Sequence, residues 1–419
     1  MTARAHGTGV VVGRAVRALA VLGGRSALAG LSAVASWTRG ERFEPDRWLA
    51  DAVVALGPAY VKVAQLLGTR TDVLPPRWCR ALEPLHDRAR PVESRAAVRR
   101  LRARFGDPRP VLVRAGSIAC VYRVTAPGRG HLAVKVRKPG IGPALAADLA
   151  LLDRVARAAA RLPALRRIPV VEVVRQVSAR VLAQLDFARE ADLLDGFRSA
   201  LRDVPGVVVP KVDRLLSTRD MIVMEHLDGL DRLRPDDLGV EERRRAVATA
   251  LRAAYRMLFL DGVVHCDLHP GNLYFRPDGT VVILDAGFAV RLDEAAREKF
   301  AAFFYCMSQG DGDACAEIVL STAVPAAGAD PAAFRADLAD LVARHAGREA
   351  GAFRLAPFAA RLFDAQRRHG YLADPRFVFP ILALLVLEGT VREFDPDADF
   401  QRLARPYLLS ALMERALAG

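Results

Sequence analysis

The densest run of chemically useful side chains is His265-Cys266-Asp267-Leu268-His269-Pro270-Gly271-Asn272, followed by Val282-Ile283-Leu284-Asp285-Ala286-Gly287. Phosphoryl transfer from a nucleoside triphosphate needs a carboxylate near the attacking oxygen and hard oxygen ligands for magnesium. An Asp, an Asn five residues later and a second Asp beyond a short hairpin supply that set. Asp267 is therefore the candidate base or substrate-orienting carboxylate, and Asn272 and Asp285 are the candidate magnesium ligands. Pro270-Gly271 makes the bend that turns Asn272 back toward the metal. The same residue types build ordinary turns, but a turn alone has no use for a following strand that ends in Asp-x-Gly. His269 is expected to hydrogen-bond the loop backbone and hold Asp267, rather than to touch metal or phosphate.

A cation should meet the phosphates. The chain takes most of its positive charge from Arg and has only five lysines, Lys62, Lys135, Lys138, Lys211 and Lys299. A retained lysine marks a place for a compact ammonium. Lys135 lies mid-strand in Ala133-Val134-Lys135-Val136, placed for the α- and β-phosphates and steadied by a helical glutamate, for which Glu190 is the candidate. The bland alternative is an edge-strand lysine that guards against aggregation. Ala115, Gly116 and Ser117 occupy the place of a glycine-rich phosphate loop. The GxGxxG pattern is absent, so one glycine must let backbone N–H groups approach phosphate. Met224 should back the adenine, with backbone groups from Glu225 to Leu227 bonding its edge.

The elements that must carry these residues can be read from periodicity. Residues 1 to about 105 read as helices, with apolar positions at helical spacing over Val10–Ala35 and Trp48–Leu67, and breaks at Pro75-Pro76 and Pro91. Short β runs follow at Ala119–Thr125 and Leu132–Val136, joined through Pro127-Gly128-Arg129-Gly130. A helical region spans about Ile141 to Ala200, and two strands are expected at Val207–Val209 and Met221–Glu225. Beyond them come a helix over Glu241–Leu260, short strands at Tyr274–Phe275 and Val281–Leu284, and then helices. The pattern implies an α+β, bilobal, protein-kinase-like fold. Its parts are a helical extension (1–105), a small lobe with a mostly antiparallel sheet (106–228) and a mainly α lobe (229–419).

Composition narrows the partners. The chain has 419 residues, 52% of them hydrophobic and 26% charged, which excludes wholesale disorder. A net charge of +13 favours anionic partners. No basic run is interleaved with aromatics, so nucleic acid is not expected. Five cysteines without CxxC spacing indicate neither a disulfide framework nor a zinc site, and suit a reducing cytoplasm. The apolar run Phe377–Leu387 is too short to span a bilayer and reads as a buried helix. Arg14 and Arg17 with their apolar neighbours fit either a membrane-surface helix or one buried on the core.

These residues resemble the UbiB/ABC1/ADCK (AarF) atypical kinases over about residues 50 to 400. The resemblance adds Leu56 to Gln65, with Lys62 and Gln65 matching that family's KxGQ helix, then Thr69 to Pro75, Lys135 to Ile141, and Leu185-Asp186-Phe187 leading to Glu190. It implies that Lys62 and Gln65 fold across the nucleotide site, where an ordinary kinase admits protein. It further implies ATP and Mg2+ as cofactors and an ATPase or small-molecule kinase activity. The work would serve isoprenoid quinone biosynthesis or membrane lipid homeostasis, with quinone precursors, lipids or quinone-biosynthesis proteins as partners. The place would be the cytoplasm or the inner face of the plasma membrane. The chain departs from the family pattern at Ala64, Gln184, Ala286 and Gly116. Two other readings remain open here: an aminoglycoside- or choline-type phosphotransferase, and a non-catalytic nucleotide-binding scaffold.

Overall fold

A computed structural model describes residues 20, 45–68, 76–82, 85, 94–106, 109–126, 128–162, 170–345 and 353–418. The expected helix over Val10–Ala35 (Ala20 apart), the Thr69–Pro75 segment and the break at Pro91 lie outside the described residues. The chain divides into two compact units, Met1–Phe187 with Ser217–Val223, and Ala188–Leu216 with Met224–Gly419.

In the first unit three helices open on proline, whose fixed φ suits the first helical position: α1 (Pro45–Leu56), α2 (Pro58–Gly68) and α3 (Pro76–Leu82). They close on a small cluster of Ala50, Ala64, Leu82 and Leu85. Ala64, where the resembled family carries glycine, is thus a buried contact residue that the packing accommodates. Helix α4 (Arg95–Phe105) starts from a Ser94 side chain that accepts the Ala97 N–H. Strands β1 (Val111–Ala115), β2 (Ala119–Ala126) and β3 (Gly130–Arg137) follow. Alternate residues of β2 and β3, among them Cys120, Tyr122, Val124, Val134 and Val136, are buried, which is the period-2 signature of a strand with one face on a core. Helices α5 (Ile141–Ala159) and α6 (Val170–Ala183) pack on each other and on α2.

The two later strands part company. β4 (Val207–Val208) belongs to the second unit, whereas β5 (Met221–Glu225) joins the first sheet through its leading residues, giving the order β1-β2-β3-β5. The expectation that both strands build the small-lobe sheet is corrected for β4. Helix α7 (Phe187–Ala200), also read as small-lobe text, falls in the second unit from Ala188 onward.

The second unit continues with α8 (Val240–Tyr255), which runs into a π-helical turn over Arg256–Asp261. Strands β6 (Val263–His265), β7 (Leu273–Phe275), β8 (Val281–Ile283) and β9 (Ala289–Arg291) form two small sheets, β4-β8-β7 and β6-β9. β4 and β8 are parallel, Val207 beside Val281 and Val208 beside Val282. Helices α9 (Glu294–Gln309), α10 (Gly312–Leu320), α11 (Pro331–Ala343), α12 (Leu355–Arg368), α13 (Pro375–Phe394) and α14 (Phe400–Ala418) complete it, with a short β10–β11 pair at Val324–Pro325 and Tyr371–Leu372. The Phe377–Leu387 run is indeed helical and buried at Val378, Leu382 and Leu387. Among the described residues no helix is long and apolar enough to cross a membrane. None of the five cysteines forms a disulfide.

Candidate active site

In the second unit, two strand ends and the loop between β6 and β7 bring three of the expected residues together. His265 ends β6 and is almost wholly buried. Its Nδ1 accepts the Asp267 N–H at 3.2 Å, so the ring proton sits on Nε2, which donates to Leu284 O at 3.0 Å. One imidazole therefore ties the backbone of Asp267 to the residue preceding Asp285. Burial pushes this imidazole below its ordinary range, against the opposing pull of the Asp267 and Asp285 charges. A second tie is backbone to backbone, Leu284 N–H to Asn272 O at 2.8 Å.

Asn272 is 2% exposed, and its amide Nδ2 donates to Asp267 O at 3.0 Å and toward Asp267 Oδ2 at 3.3 Å. The NH2 end is thus turned to Asp267, and the amide oxygen is the end of Asn272 whose chemistry suits a cation. His269 takes the structural part expected of it: its Nδ1 accepts the Gly271 N–H at 2.9 Å, and its Nε2 stands 3.8 Å from Asp267 Oδ2.

Asp285 adopts φ +54°, the left-handed region, one of two non-glycine residues with positive φ among those described. Such a conformation costs about 1–2 kcal/mol for an L-residue, and here it turns the carboxylate back over its own loop, where Oδ1 accepts the Gly287 N–H at 3.2 Å. A Cβ added at Gly287 would stand 3.0 Å from Asp285 Oδ1 and 3.4 Å from Glu190 Oε2. An added methyl would press on both carboxylates, and that of Glu190, buried on α7, borders the same space as that of Asp285. Ala286 is completely buried.

The donors fit Mg2+ by their chemistry. A carboxylate and an amide oxygen are hard ligands, and magnesium commonly takes only one or two protein carboxylates, with phosphate and water filling the remainder. Among the described residues no cluster of three or more His, Cys, Asp or Glu could hold a metal unaided, so a bound cation would draw on the Asn272 amide and on ligand oxygens.

Of the adenine candidates, Met224 and Glu225 end β5, with Leu227 just beyond. The Glu225 N–H donates to Lys211 O at 2.9 Å and Met224 bridges Val212, so that N–H is already committed within this segment.

In the first unit, Lys135 sits at the middle of β3 opposite Val121, with its Nζ 5.4 Å above the Phe187 ring centroid. The Ala115-Gly116-Ser117 turn is closed by Gly116 N–H to Ala119 O at 2.8 Å. A Cβ at Gly116 would meet only Ala119 O at an ordinary 3.5 Å, so the fold itself does not demand glycine there. Lys62 and Gln65 lie on α2. The Gln65 amide donates to Leu85 O at 2.9 Å and secures the helix to the following segment. Gln184 is half-buried and Asp186 exposed, in the turn between α6 and α7.

The His265 tether is what sequence reasoning missed. The signal available was only that a histidine stood two residues before Asp267.

The ABC1 atypical kinase-like domain model matches residues 86–319, more than half the chain. The chain belongs to the ABC1 atypical kinase-like family. Among curated proteins, an uncharacterized protein of Synechocystis sp. is 30% identical over 292 residues, covering 65% of this chain and 72% of that protein. A probable protein kinase UbiB of Xanthomonas campestris is 28% identical over 410 residues, covering 91% of this chain and 72% of that protein. Among solved structures, the complex of Rv3197 with erythromycin from Mycobacterium tuberculosis aligns with a TM-score of 0.54 at 20% identity, over 91% of this chain and 97% of that one, a likeness of fold. The α+β, kinase-like fold expected from the sequence is thus the observed one.

Proposed function

We propose that the chain is an ATP-dependent phosphotransferase or ATPase of the UbiB type. The observation that carries this is the single hydrogen-bonded frame, His265 with Leu284 and Asn272 with Asp267, that presents Asp267, Asn272 and Asp285 on adjoining backbone. Asn272 and Asp285 would hold Mg2+, which neutralises phosphate charge when bound. Asp267 would orient or deprotonate the attacking hydroxyl, or water where none is supplied. Lys135 is assigned to the phosphates with Glu190 orienting it, Ala115, Gly116 and Ser117 to phosphate contacts, Met224, Glu225 and Leu227 to the adenine, and Lys62 and Gln65 to covering the nucleotide. By the family resemblance read from the sequence, we assign it to isoprenoid quinone biosynthesis or membrane lipid homeostasis, at a membrane surface.

The test is Mg2+-dependent ATP binding and hydrolysis by the purified chain and by Asp285→Asn, with and without anionic liposomes and a quinone-precursor mimic. Turnover that requires Asp285 supports the proposal. Binding with no Asp285-sensitive turnover in any mixture would instead establish a nucleotide-binding scaffold.

A further inference from the structure

Between α8, α9, the start of α12 and α14 the second unit holds a cavity of about 540 Å³, within the range of roughly 300–1,000 Å³ typical of small-molecule pockets. None of its lining residues belongs to the phosphoryl site. Its inner wall is buried and apolar or aromatic: Tyr255, Met307, Leu384, Phe400 and Leu408 are each less than a tenth exposed. The Tyr255 hydroxyl, the polar group on that wall, is spent on Phe400 O at 3.0 Å. The wall is also anchored from behind. Glu388 accepts the Leu355 and Ala356 N–H groups at 2.9 and 2.8 Å, pinning the first turn of α12 to α13.

The mouth differs in chemistry. Tyr305 and Leu409 line it and are 38% and 42% exposed, so the apolar lining continues out to the solvent. Beside them, one turn of α14 carries Arg402 and Arg405, both exposed and both without an acidic ion-pair partner among the described residues. The nearby carboxylate of Asp399 is used as a helix cap, its Oδ1 accepting the Arg402 N–H at 2.9 Å. An inner wall that is mainly apolar and aromatic, opening past Tyr305 and Leu409 onto two guanidinium groups, matches a molecule with a single apolar chain and an anionic head.

We propose that this cavity binds single-chain amphiphiles with an anionic head group, carboxylate or phosphate, with the chain against Tyr255, Phe400 and Leu408 and the head at Arg402 and Arg405. This site is independent of the nucleotide reading and stands or falls separately from it.

The experiment uses the full chain and a fluorescent dansyl-undecanoate probe below its micellar concentration, displaced by laurate, dodecyl phosphate, dodecanol and dodecylamine. Laurate and dodecyl phosphate should compete saturably, with affinity rising about threefold to fourfold per added methylene until the cavity is filled. Their relative affinity identifies which head group is preferred. Dodecanol and dodecylamine should be weaker. Arg405→Glu, an exposed substitution, should weaken both anions about threefold to tenfold and leave dodecanol unchanged. Ala404→Phe, which fills the interior, should abolish probe binding while the thermal midpoint is retained. Should that variant fail to fold, Tyr305→Glu, which sets a like charge at the exposed mouth, should weaken laurate and dodecyl phosphate more than dodecanol. Non-saturable binding, equal affinity for the four head groups, or binding indifferent to both the mouth and interior variants would overturn the proposal.

Discussion

His265→Phe separates the packing role of the ring from its bonding role. Phenylalanine keeps an aromatic ring beside Phe197, whose centroid lies 5.6 Å from that of His265, but loses the acceptor for Asp267 N–H and the donor to Leu284 O. Leaving a part-buried donor and acceptor unpaired costs about 1–3 kcal/mol each. The apoprotein should therefore lose about 2–6 kcal/mol in urea unfolding, and Mg-ATP affinity should fall as well, because both carboxylate-bearing segments lose their shared anchor. The same residue makes stability pH-dependent. Its folded-state pKa is lowered by burial, so the unfolded chain binds the extra proton first, from about pH 6.5 downward. Its contribution is whole above about pH 6.5 and is lost as pH falls toward the folded-state value, with a slope of at most ~1.4 kcal/mol per pH unit from this group. Unfolding of wild type and variant in EDTA at pH 8.0 and 5.5 should show a steeper loss in the wild type. Identical slopes, or a loss under about 1 kcal/mol at pH 8.0, would refute the tether.

Gly287→Ala should weaken Mg-ATP binding in a titration while moving the thermal midpoint little, since the added methyl presses on the Asp285 and Glu190 carboxylates rather than on the core. Gly312→Ala should cost about 1–3 kcal/mol or more, because its Cβ would fall 2.5 Å from Ala339 Cα, and unchanged unfolding would contradict that close approach of α10 to α11. Glu388→Ala should destabilise by about 3–5 kcal/mol, since it strands two backbone donors and takes the carboxylate from the Arg392 guanidinium, which is left with its bonds to Phe353 O and Pro396 O; differential scanning calorimetry reads the loss. In a double-mutant cycle, Lys135→Met and Glu190→Gln should be non-additive in ATP affinity, and strict additivity would remove Glu190 from its assigned role.

What could be read from the linear chain was whatever depends on near neighbours. The β2–β3 hairpin followed from two alternating runs across a glycine turn. The Asp267–Asn272 pair followed from a five-residue spacing whose geometry a single loop decides, and that loop's hydrogen bonds duly join the two residues. The backbone role of His269 was legible for the same reason.

Long-range partnership was not legible. Val207 and Val208 read equally well as a strand of either sheet, and only the folded chain pairs them in parallel with β8, because parallel neighbours share no turn to announce them. The left-handed turn of Asp285, the two ends of the His265 ring and the amphiphile-shaped cavity depend likewise on distant segments meeting. Spacing along the chain settles which atoms are present for chemistry. Burial and hydrogen bonding between remote elements settle where those atoms point, since each such bond is decided by which partner excludes water from it.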